Sequence, residues 1–154
     1  MVVFDSVQFG YGRQMLFSGL NLELSPGRIY GLLGLNGAGK TSLLKLAAGA
    51  LRPGKGRIEV FGRRPGDRQP EHLADVFFVP EDPWFPAMKP AAWLKRYAVF
   101  RPAFDYDLFK GLSAQMQIDE TKLLTRFSFG QRKKFALAVA LSSGARLLLL
   151  DEPT

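Results

Sequence analysis

The chain has 154 residues, a net charge of +7 and an apolar share of 47%, and it contains no cysteine. This composition is typical of one globular domain and is too apolar for a disordered chain. The lack of cysteine excludes disulfide scaffolds, zinc ribbons and thiol catalysis, and a single histidine, His72, disfavours a histidine-rich metal site.

The excess of positive charge favours an anionic partner: a nucleotide, a nucleic acid, a lipid surface or an acidic protein face. Simple solubility is an equally good explanation. No apolar stretch reaches the roughly 20 residues that a membrane-spanning helix requires, and the N-terminus lacks the pattern of a secretory signal. We therefore expect a cytosolic protein.

In chain order, the hydrophobic pattern predicts strands that alternate with helices. The predicted strands are residues 2–9, 20–24, 28–33, 58–61, 76–79 and 147–150. The predicted helices are residues 40–50, 91–100, 105–116 and 131–141, with Ser128 as a cap before the last. Such alternation is typical of an α/β fold with a parallel sheet. The early strands indicate an antiparallel portion beside it, and the stretch from about 90 to 142 indicates a helical insertion.

The most specific motif is a glycine-rich segment at residues 34–41, Gly-Leu-Asn-Gly-Ala-Gly-Lys-Thr. It matches the phosphate-binding pattern G-x-x-x-x-G-K-[ST], with a predicted strand before it and a predicted helix after it. Glycines let successive backbone N–H groups face phosphate oxygens. Lys40 supplies a positive charge, and the Thr41 hydroxyl is a suitable ligand for Mg²⁺. The alternative is an ordinary glycine turn with a solvated lysine.

A pair of carboxylates, Asp151 and Glu152, follows the four-leucine strand. In open parallel sheets, ligands bind beyond the carboxyl ends of the strands. One carboxylate there can hold Mg²⁺, and the other can activate a water molecule. A charged strand end without a function is the alternative, which the phosphate-binding segment makes less attractive.

A third segment narrows the choice among phosphate-loop proteins. Residues 127–131, Phe-Ser-Phe-Gly-Gln, resemble the Leu-Ser-Gly-Gly-Gln signature of the ATP-binding cassette (ABC) family, and residues 151–154 are similar to its Walker B ending. The resemblance implies a P-loop NTPase with a mostly parallel core sheet, an N-terminal antiparallel β portion and a helical subdomain at about 83–130. It also implies that residues 1–154 form a single, incomplete ABC ATP-binding domain whose C-terminal part would follow Thr154.

The resemblance also implies a set of site residues and the cofactors ATP and Mg²⁺. Glu152 would be the catalytic base, and Thr41, Asp151 and Glu81 would be metal ligands. The nucleotide-binding residues would be Tyr11, stacked on adenine, then Gly34, Leu35, Asn36, Gly37, Ala38, Gly39, Lys40, Thr41 and Ser42, and finally Ser128, Gly130 and Gln131, which would touch ATP held by a second subunit.

The implied function is that of an ATP-binding subunit of an ABC transporter, which couples ATP hydrolysis to transport. Its partners would be a second ABC ATP-binding subunit and a transmembrane permease subunit, and no nucleic acid is expected. Its place would be cytoplasmic, on the inner face of the cell membrane. Two alternatives stay open: a soluble, non-transport ABC protein such as a ribosome-associated factor, and a non-catalytic nucleotide-binding fragment.

Several residues depart from the family pattern. Phe127 and Phe129 replace Leu and Gly of the signature, so we expect either a shifted backbone or an outward-facing ring. Glu81 stands where the family has a glutamine. The family's switch histidine does not occur after residue 152, and His72 is expected to be a solvated loop residue instead.

Aromatic and basic residues outside these motifs carry further expectations. Trp84 and Phe85 lie in a proline-rich loop, where they could fill the core, but the preferred expectation is a surface that docks a membrane subunit. Apolar residues at helical spacing are expected in the core: Trp93, Leu94, Tyr97 and Phe100. Residues 132–134, Arg-Lys-Lys, begin a predicted helix, where cations oppose the helix dipole, so they indicate either a nearby anion or a solvated basic face.

Overall fold

The computed structural model describes residues 1–152, and the chain divides into two compact units, Met1–Leu73 and a second that begins at Ala74. The strands are β1 (Val2–Tyr11), β2 (Gln14–Leu24), β3 (Lys55–Val60), β4 (Val76–Val79) and β5 (Leu147–Leu150). The helices are α1 (Lys40–Ala47), α2 (Pro70–Asp75), α3 (Pro90–Tyr97), α4 (Tyr106–Gln115) and α5 (Phe129–Ser142). Short 3₁₀ turns span Pro65–Asp67, Ala98–Phe100 and Leu124–Arg126.

The first unit contains an antiparallel sheet of order β2-β1-β3. Alternate residues of β1 are buried, beginning with Val2 and Phe4, because successive strand side chains point to opposite faces. The register then shifts by a bulge, where Ser6 adopts a positive φ and its backbone N–H donates to Asn21 Oδ1 at 2.8 Å. The predicted N-terminal antiparallel portion is confirmed.

In the second unit, β4 and β5 form a parallel pair, with Val76 opposite Leu147 and Val79 opposite Leu150. Helix α5 supplies the centre of this unit's core. The fully buried ring of Phe135 makes edge contacts with four other rings, and the centroid distances are 5.0 Å to Phe85, 5.5 Å to Trp93, 6.0 Å to Phe109 and 6.3 Å to Phe127. Aromatic packing of this kind fixes the position of α5.

All predicted helices and five of the predicted strands form, with boundaries that differ by a few residues. The predicted strand at 28–33 is wrong, since residues 25–35 form neither helix nor strand. Its side chains are largely exposed, and Leu33 keeps 93% of its surface. A strand needs a hydrogen-bonded neighbour, and this segment has no ladder partner within residues 1–152.

Three expectations about single residues are also wrong. His72 is 1% exposed within α2 and is therefore a buried helical residue, because the helix that starts at Pro70 turns its side chain inward. Phe85 belongs to the core instead of a docking surface, whereas Trp84 beside it is 81% exposed. Phe100 is exposed, because α3 ends at Tyr97 and the following 3₁₀ turn breaks the helical spacing. No helix within residues 1–152 is long and apolar enough to cross a membrane.

Arg101 joins the helical part of the second unit to the start of β4. Its guanidinium donates hydrogen bonds to the carbonyl oxygens of Ala74 (2.8 Å) and Val76 (3.0 Å) and to the Tyr97 hydroxyl (3.2 Å). It also lies 5.0 Å from the centre of the Phe77 ring. Burial raises the pKa of Tyr97 above its ordinary value, and Arg101 partly offsets that rise.

We predict that Arg101→Lys lowers the free energy of unfolding of the second unit by about 1–3 kcal/mol, because an ammonium cannot replace three fixed guanidinium hydrogen bonds. The chain's two tryptophans, Trp84 and Trp93, both lie in this unit, so their fluorescence during a urea titration reports on it. The control is Arg96→Lys at an exposed position of α3. Equal midpoints for the two variants would show that the Arg101 contacts contribute nothing.

Candidate functional site

The glycine-rich segment of residues 34–39, here called the phosphate loop, turns through two glycines with positive φ. Gly37 has φ 84° and Gly39 has φ 95°, conformations that L side chains rarely adopt. The Ala38 N–H closes the turn on the Leu35 carbonyl oxygen at 3.1 Å. A Cβ added to Gly39 would lie 2.9 Å from the Phe17 ring, so both space and backbone favour glycine at this position.

Two sources of positive charge meet at the phosphate loop. The Lys40 ammonium donates to the carbonyl oxygens of Gly34 at 2.9 Å and Leu35 at 3.3 Å, so the side chain folds back onto the loop. Helix α1 begins at Lys40, and no side-chain hydrogen bond caps it at Gly39. The first N–H groups of a helix carry partial positive charge, which makes this end of α1 suitable for an anion. Residues 34–38 are exposed and thus accessible to one.

Tyr11 and Ser42 also come together in the first unit. The Tyr11 hydroxyl and Ser42 Oγ are 3.3 Å apart, and Ser42 lies in the first turn of α1. The ring of Tyr11 contacts Phe9 edge to face at 5.1 Å but remains half exposed. The half-exposed ring of Tyr11 therefore offers an aromatic face near Ser42 in the first turn of α1.

The second unit holds the predicted carboxylates at the carboxyl ends of β4 and β5. The Asp151 N–H donates to the Val79 carbonyl oxygen at 3.0 Å, which continues the parallel pairing and sets Asp151 beside the chain segment that leads to Glu81. Asp151 is buried, while Glu81 and Glu152 are exposed. Glu152 has φ 47°, an unusual backbone conformation for a residue other than glycine.

Lys133 contacts the main chain at Glu152, a tertiary contact that sequence reasoning missed. Its Nζ donates to the backbone carbonyl oxygen of Glu152. Lys133 lies in the first turns of α5, so this bond connects the signature-like segment (residues 127–131) with the end of β5. The sequence signal for this contact was that Lys133 lies in the basic run of residues 132–134. That run does not specify which lysine makes the contact.

The signature-like segment forms a reciprocal cap at the start of α5. Ser128 Oγ accepts from the Gln131 N–H at 3.3 Å, and Gln131 Oε1 accepts from the Ser128 N–H at 2.9 Å. The predicted cap at Ser128 is confirmed. Phe127 is buried in the core, whereas Phe129 is 46% exposed, so the ring that replaces glycine faces outward.

The cations that follow the cap are partnered within the second unit. Arg132 forms an ion pair with Asp82 at 2.9 Å and donates to the Phe127 carbonyl oxygen at 3.2 Å. The Phe129 ring lies 4.9 Å from Lys133 Nζ and 5.9 Å from the Arg132 guanidinium carbon. Asp82 thus supplies an anionic partner for Arg132, a pairing that sequence reasoning did not identify.

The proposed metal ligands offer oxygen atoms, the donors that Mg²⁺ prefers. Thr41 belongs to the first unit, and Glu81 and Asp151 belong to the second. In the described part of the chain, no group of three or more His, Asp or Glu side chains could hold a metal ion by itself. Mg²⁺ usually keeps several waters and binds through one or two protein oxygens plus substrate phosphates.

Comparison with known proteins agrees with these motifs. The model of the ABC transporter family matches residues 17–154. The bacitracin transport ATP-binding protein BcrA of Bacillus licheniformis is 32% identical over 149 residues, which are 94% of this chain and 48% of BcrA. This chain therefore spans about half the length of that relative.

Solved structures share the fold. A structure of an ATP-binding subunit of an ABC transporter superposes with a TM-score of 0.87 at 22% identity, over 99% of this chain and 66% of that one. The ATP-binding cassette MJ0796, solved as a dimer in a post-hydrolysis state with ADP and Pi, gives 0.78 at 19% identity, over 100% of this chain and 75% of that one. The predicted fold class is confirmed. Since the family model matches residues 17–154, this chain belongs to the ABC transporter family, as a nucleotide-binding domain of the P-loop NTPase fold.

Proposed function

We propose that this chain is the ATP-binding part of an ABC transporter subunit, which binds ATP with Mg²⁺ and hydrolyses it as a dimer to drive a separate membrane subunit. The observation that carries the proposal is the phosphate loop, in which Lys40 and the uncapped start of α1 face one accessible turn. An ammonium group and a helix N-terminus together favour a polyphosphate.

In the first unit, the phosphate loop and the residues after it would hold the nucleotide. Backbone N–H groups of residues 34–39 and the Lys40 ammonium would bind the phosphates, with Thr41 and Ser42 beside them. Tyr11 would stack on adenine through its exposed ring. Its hydrogen bond to Ser42 supports this role, because it connects the aromatic side chain to the helix that begins at the phosphates.

In the second unit, the carboxylates would serve hydrolysis. Thr41, Asp151 and Glu81 would hold Mg²⁺, which when bound would neutralise phosphate charge. Glu152 would accept a proton from the attacking water as a general base. The Lys133 contact supports this role, since a hydrogen bond to the Glu152 carbonyl oxygen helps to position the main chain of that residue.

The proposed dimer follows from exposed groups in the signature-like segment. Ser128, Phe129 and Gly130 are exposed at the start of α5, so they can reach the ATP of a second ABC subunit. We propose residues 1–154 as part of one ABC ATP-binding domain, with a helical subdomain at about 83–130 that contains α3 and α4. The permease partner, the cytoplasmic position at the membrane and the absence of a nucleic acid partner are proposals too. The transport function in the name of BcrA supports them.

We predict that Lys40→Ala weakens ATP binding to the chain at least tenfold, because it removes the ammonium group that folds onto the phosphate loop. Glu152→Gln should leave ATP affinity within about twofold, since a general base acts on water. Calorimetric titration with ATP and Mg²⁺ measures both values. Lys45→Ala is the matched control, with the same charge removed from the last turn of α1. Unchanged affinity in the Lys40→Ala variant would contradict the proposed site.

The glycine conformation gives a second prediction. Gly39→Ala should weaken ATP binding by about five- to thirtyfold, since a left-handed backbone costs an L residue roughly 1–2 kcal/mol. The control is Gly31→Ala, where an added Cβ meets no atom within 4 Å and φ lies outside the left-handed range. Its affinity should stay within twofold. Similar losses in both variants would mean that the turn at Gly39 is not what binds the phosphates.

The net charge of +7 also favours a second candidate, a soluble ABC protein that acts on ribosomes. Affinity purification of the tagged protein from its own cells separates the two functions. Co-purification of a membrane protein supports the transporter subunit, and co-purification of ribosomes supports the alternative.

A further inference from the structure

A second group of cations surrounds a cavity of about 240 Å³ in the first unit, and none of the residues involved belongs to the phosphate loop. Its arginines are Arg52, Arg57 and Arg64, and its apolar side chains include Leu46, Ile58 and Pro65. The cavity therefore combines a basic rim with an apolar floor, an arrangement that neither the motifs nor the proposed ATPase function uses.

The floor of the cavity is rigid. Leu46 and Ile58 are buried, and the 3₁₀ turn Pro65–Asp67 is held tightly against the end of α1. A Cβ added to Gly49, which has φ 72°, would lie 2.2 Å from the Pro65 carbonyl oxygen, so the two backbones touch. The Gly49 carbonyl oxygen in turn accepts a hydrogen bond from Arg68 Nη1 at 3.3 Å. The cavity is thus formed before any ligand arrives.

The three arginines differ in how far their hydrogen-bonding capacity is used. Arg52 Nη2 donates to the Gly66 carbonyl oxygen at 2.8 Å, which orients the guanidinium and leaves its other donors unassigned. Arg57 forms an ion pair with Glu59. Arg64 makes neither a hydrogen bond nor an ion pair through its side chain within residues 1–152, and it is exposed. Asp67 is the lining residue with a carboxylate, so cations outnumber anions around the cavity.

We propose that this cavity binds a small phosphate monoester whose organic group is apolar. A guanidinium matches the geometry of two phosphate oxygens, and a phosphate monoester carries about −1.5 to −2 charges at pH 7, which Arg52 and Arg64 together balance. The apolar floor would contact the organic group of the ligand and remove it from water. The volume lies below the roughly 300–1,000 Å³ of pockets for drug-sized ligands, so the ligand is correspondingly small.

Phenyl phosphate is the probe that tests this site, because it has both the dianion and an apolar ring. The titration uses the full 154-residue chain carrying Lys40→Ala, so that the phosphate loop does not contribute. We expect saturable binding of one phenyl phosphate per chain in this background. Inorganic phosphate should bind at least threefold more weakly, because it leaves the floor exposed to water.

Two substitutions, each added separately to the Lys40→Ala chain, test whether the cavity arginines bind the probe. Arg64→Gln should weaken phenyl phosphate binding at least tenfold, and Arg52→Gln should weaken it as well. The matched control Lys55→Gln removes one exposed cation two residues from Arg57, outside the cavity lining, and should change affinity less than twofold. Since Arg64 is exposed and unpaired within residues 1–152, its loss should not affect folding.

Three results would overturn the proposal. They are loss of binding in the Lys40→Ala background, equal loss in the Arg64→Gln and Lys55→Gln variants, and equal affinities for phenyl phosphate and inorganic phosphate. Loss of binding in the Lys40→Ala background would mean that the probe binds at the phosphate loop. Equal loss in Arg64→Gln and Lys55→Gln would mean that a basic surface attracts the probe without a specific site. Equal affinities for the two phosphates would exclude a role for the apolar floor. Because the cavity is tested in the Lys40→Ala background, failure of the parent chain to bind ATP would not contradict this proposal.

Discussion

The left-handed backbone at Gly37 and Gly39 is the constraint on which the first unit's site depends. It turns the chain so that α1 can start at Lys40 with no side chain capping it. Lys40 then folds back to the loop carbonyls, and Ser42, two residues later in the first turn of α1, hydrogen-bonds to Tyr11. A side chain at Gly39 would strain the turn and press on Phe17, so packing and backbone geometry select the same residue.

The second unit fixes its polar groups by burying aromatic rings next to them. Phe127 enters the core one residue before Ser128, and Phe135 fills the core two turns into α5. These rings hold the start of α5 in place, so that Lys133 can reach the Glu152 carbonyl oxygen. The polar and charged groups at residues 128–133, of which residues 128–130 are exposed, thus rely on hydrophobic anchors on both sides of them.

The parts of this structure that depend on local chemistry could be predicted from the sequence. The loop at 34–41, the cap at Ser128 and the strand Leu147–Leu150 follow from residue types within a few positions of each other. The strand expected at 28–33 could not be decided in the same way, since forming it requires a neighbouring strand as well as apolar residues. Long-range contacts also escaped prediction: Asp82 and Arg132 pair across 50 residues, and nothing in either segment specifies the other.

The reciprocal cap at α5 bears on whether a signature with phenylalanine in place of glycine can still bind a phosphate. Ser128 Oγ uses a lone pair to accept from the Gln131 N–H, which leaves its hydroxyl hydrogen for donation. Gln131 accepts through Oε1, so its amide NH₂ remains a donor as well. Phe129 faces outward with Lys133 and Arg132 against its ring, and a Cβ at Gly130 would meet no atom within 4 Å. The cap therefore leaves the donors in place beside open space, and in the proposed dimer the effect of the substitution would be on how closely the second subunit can approach Phe129.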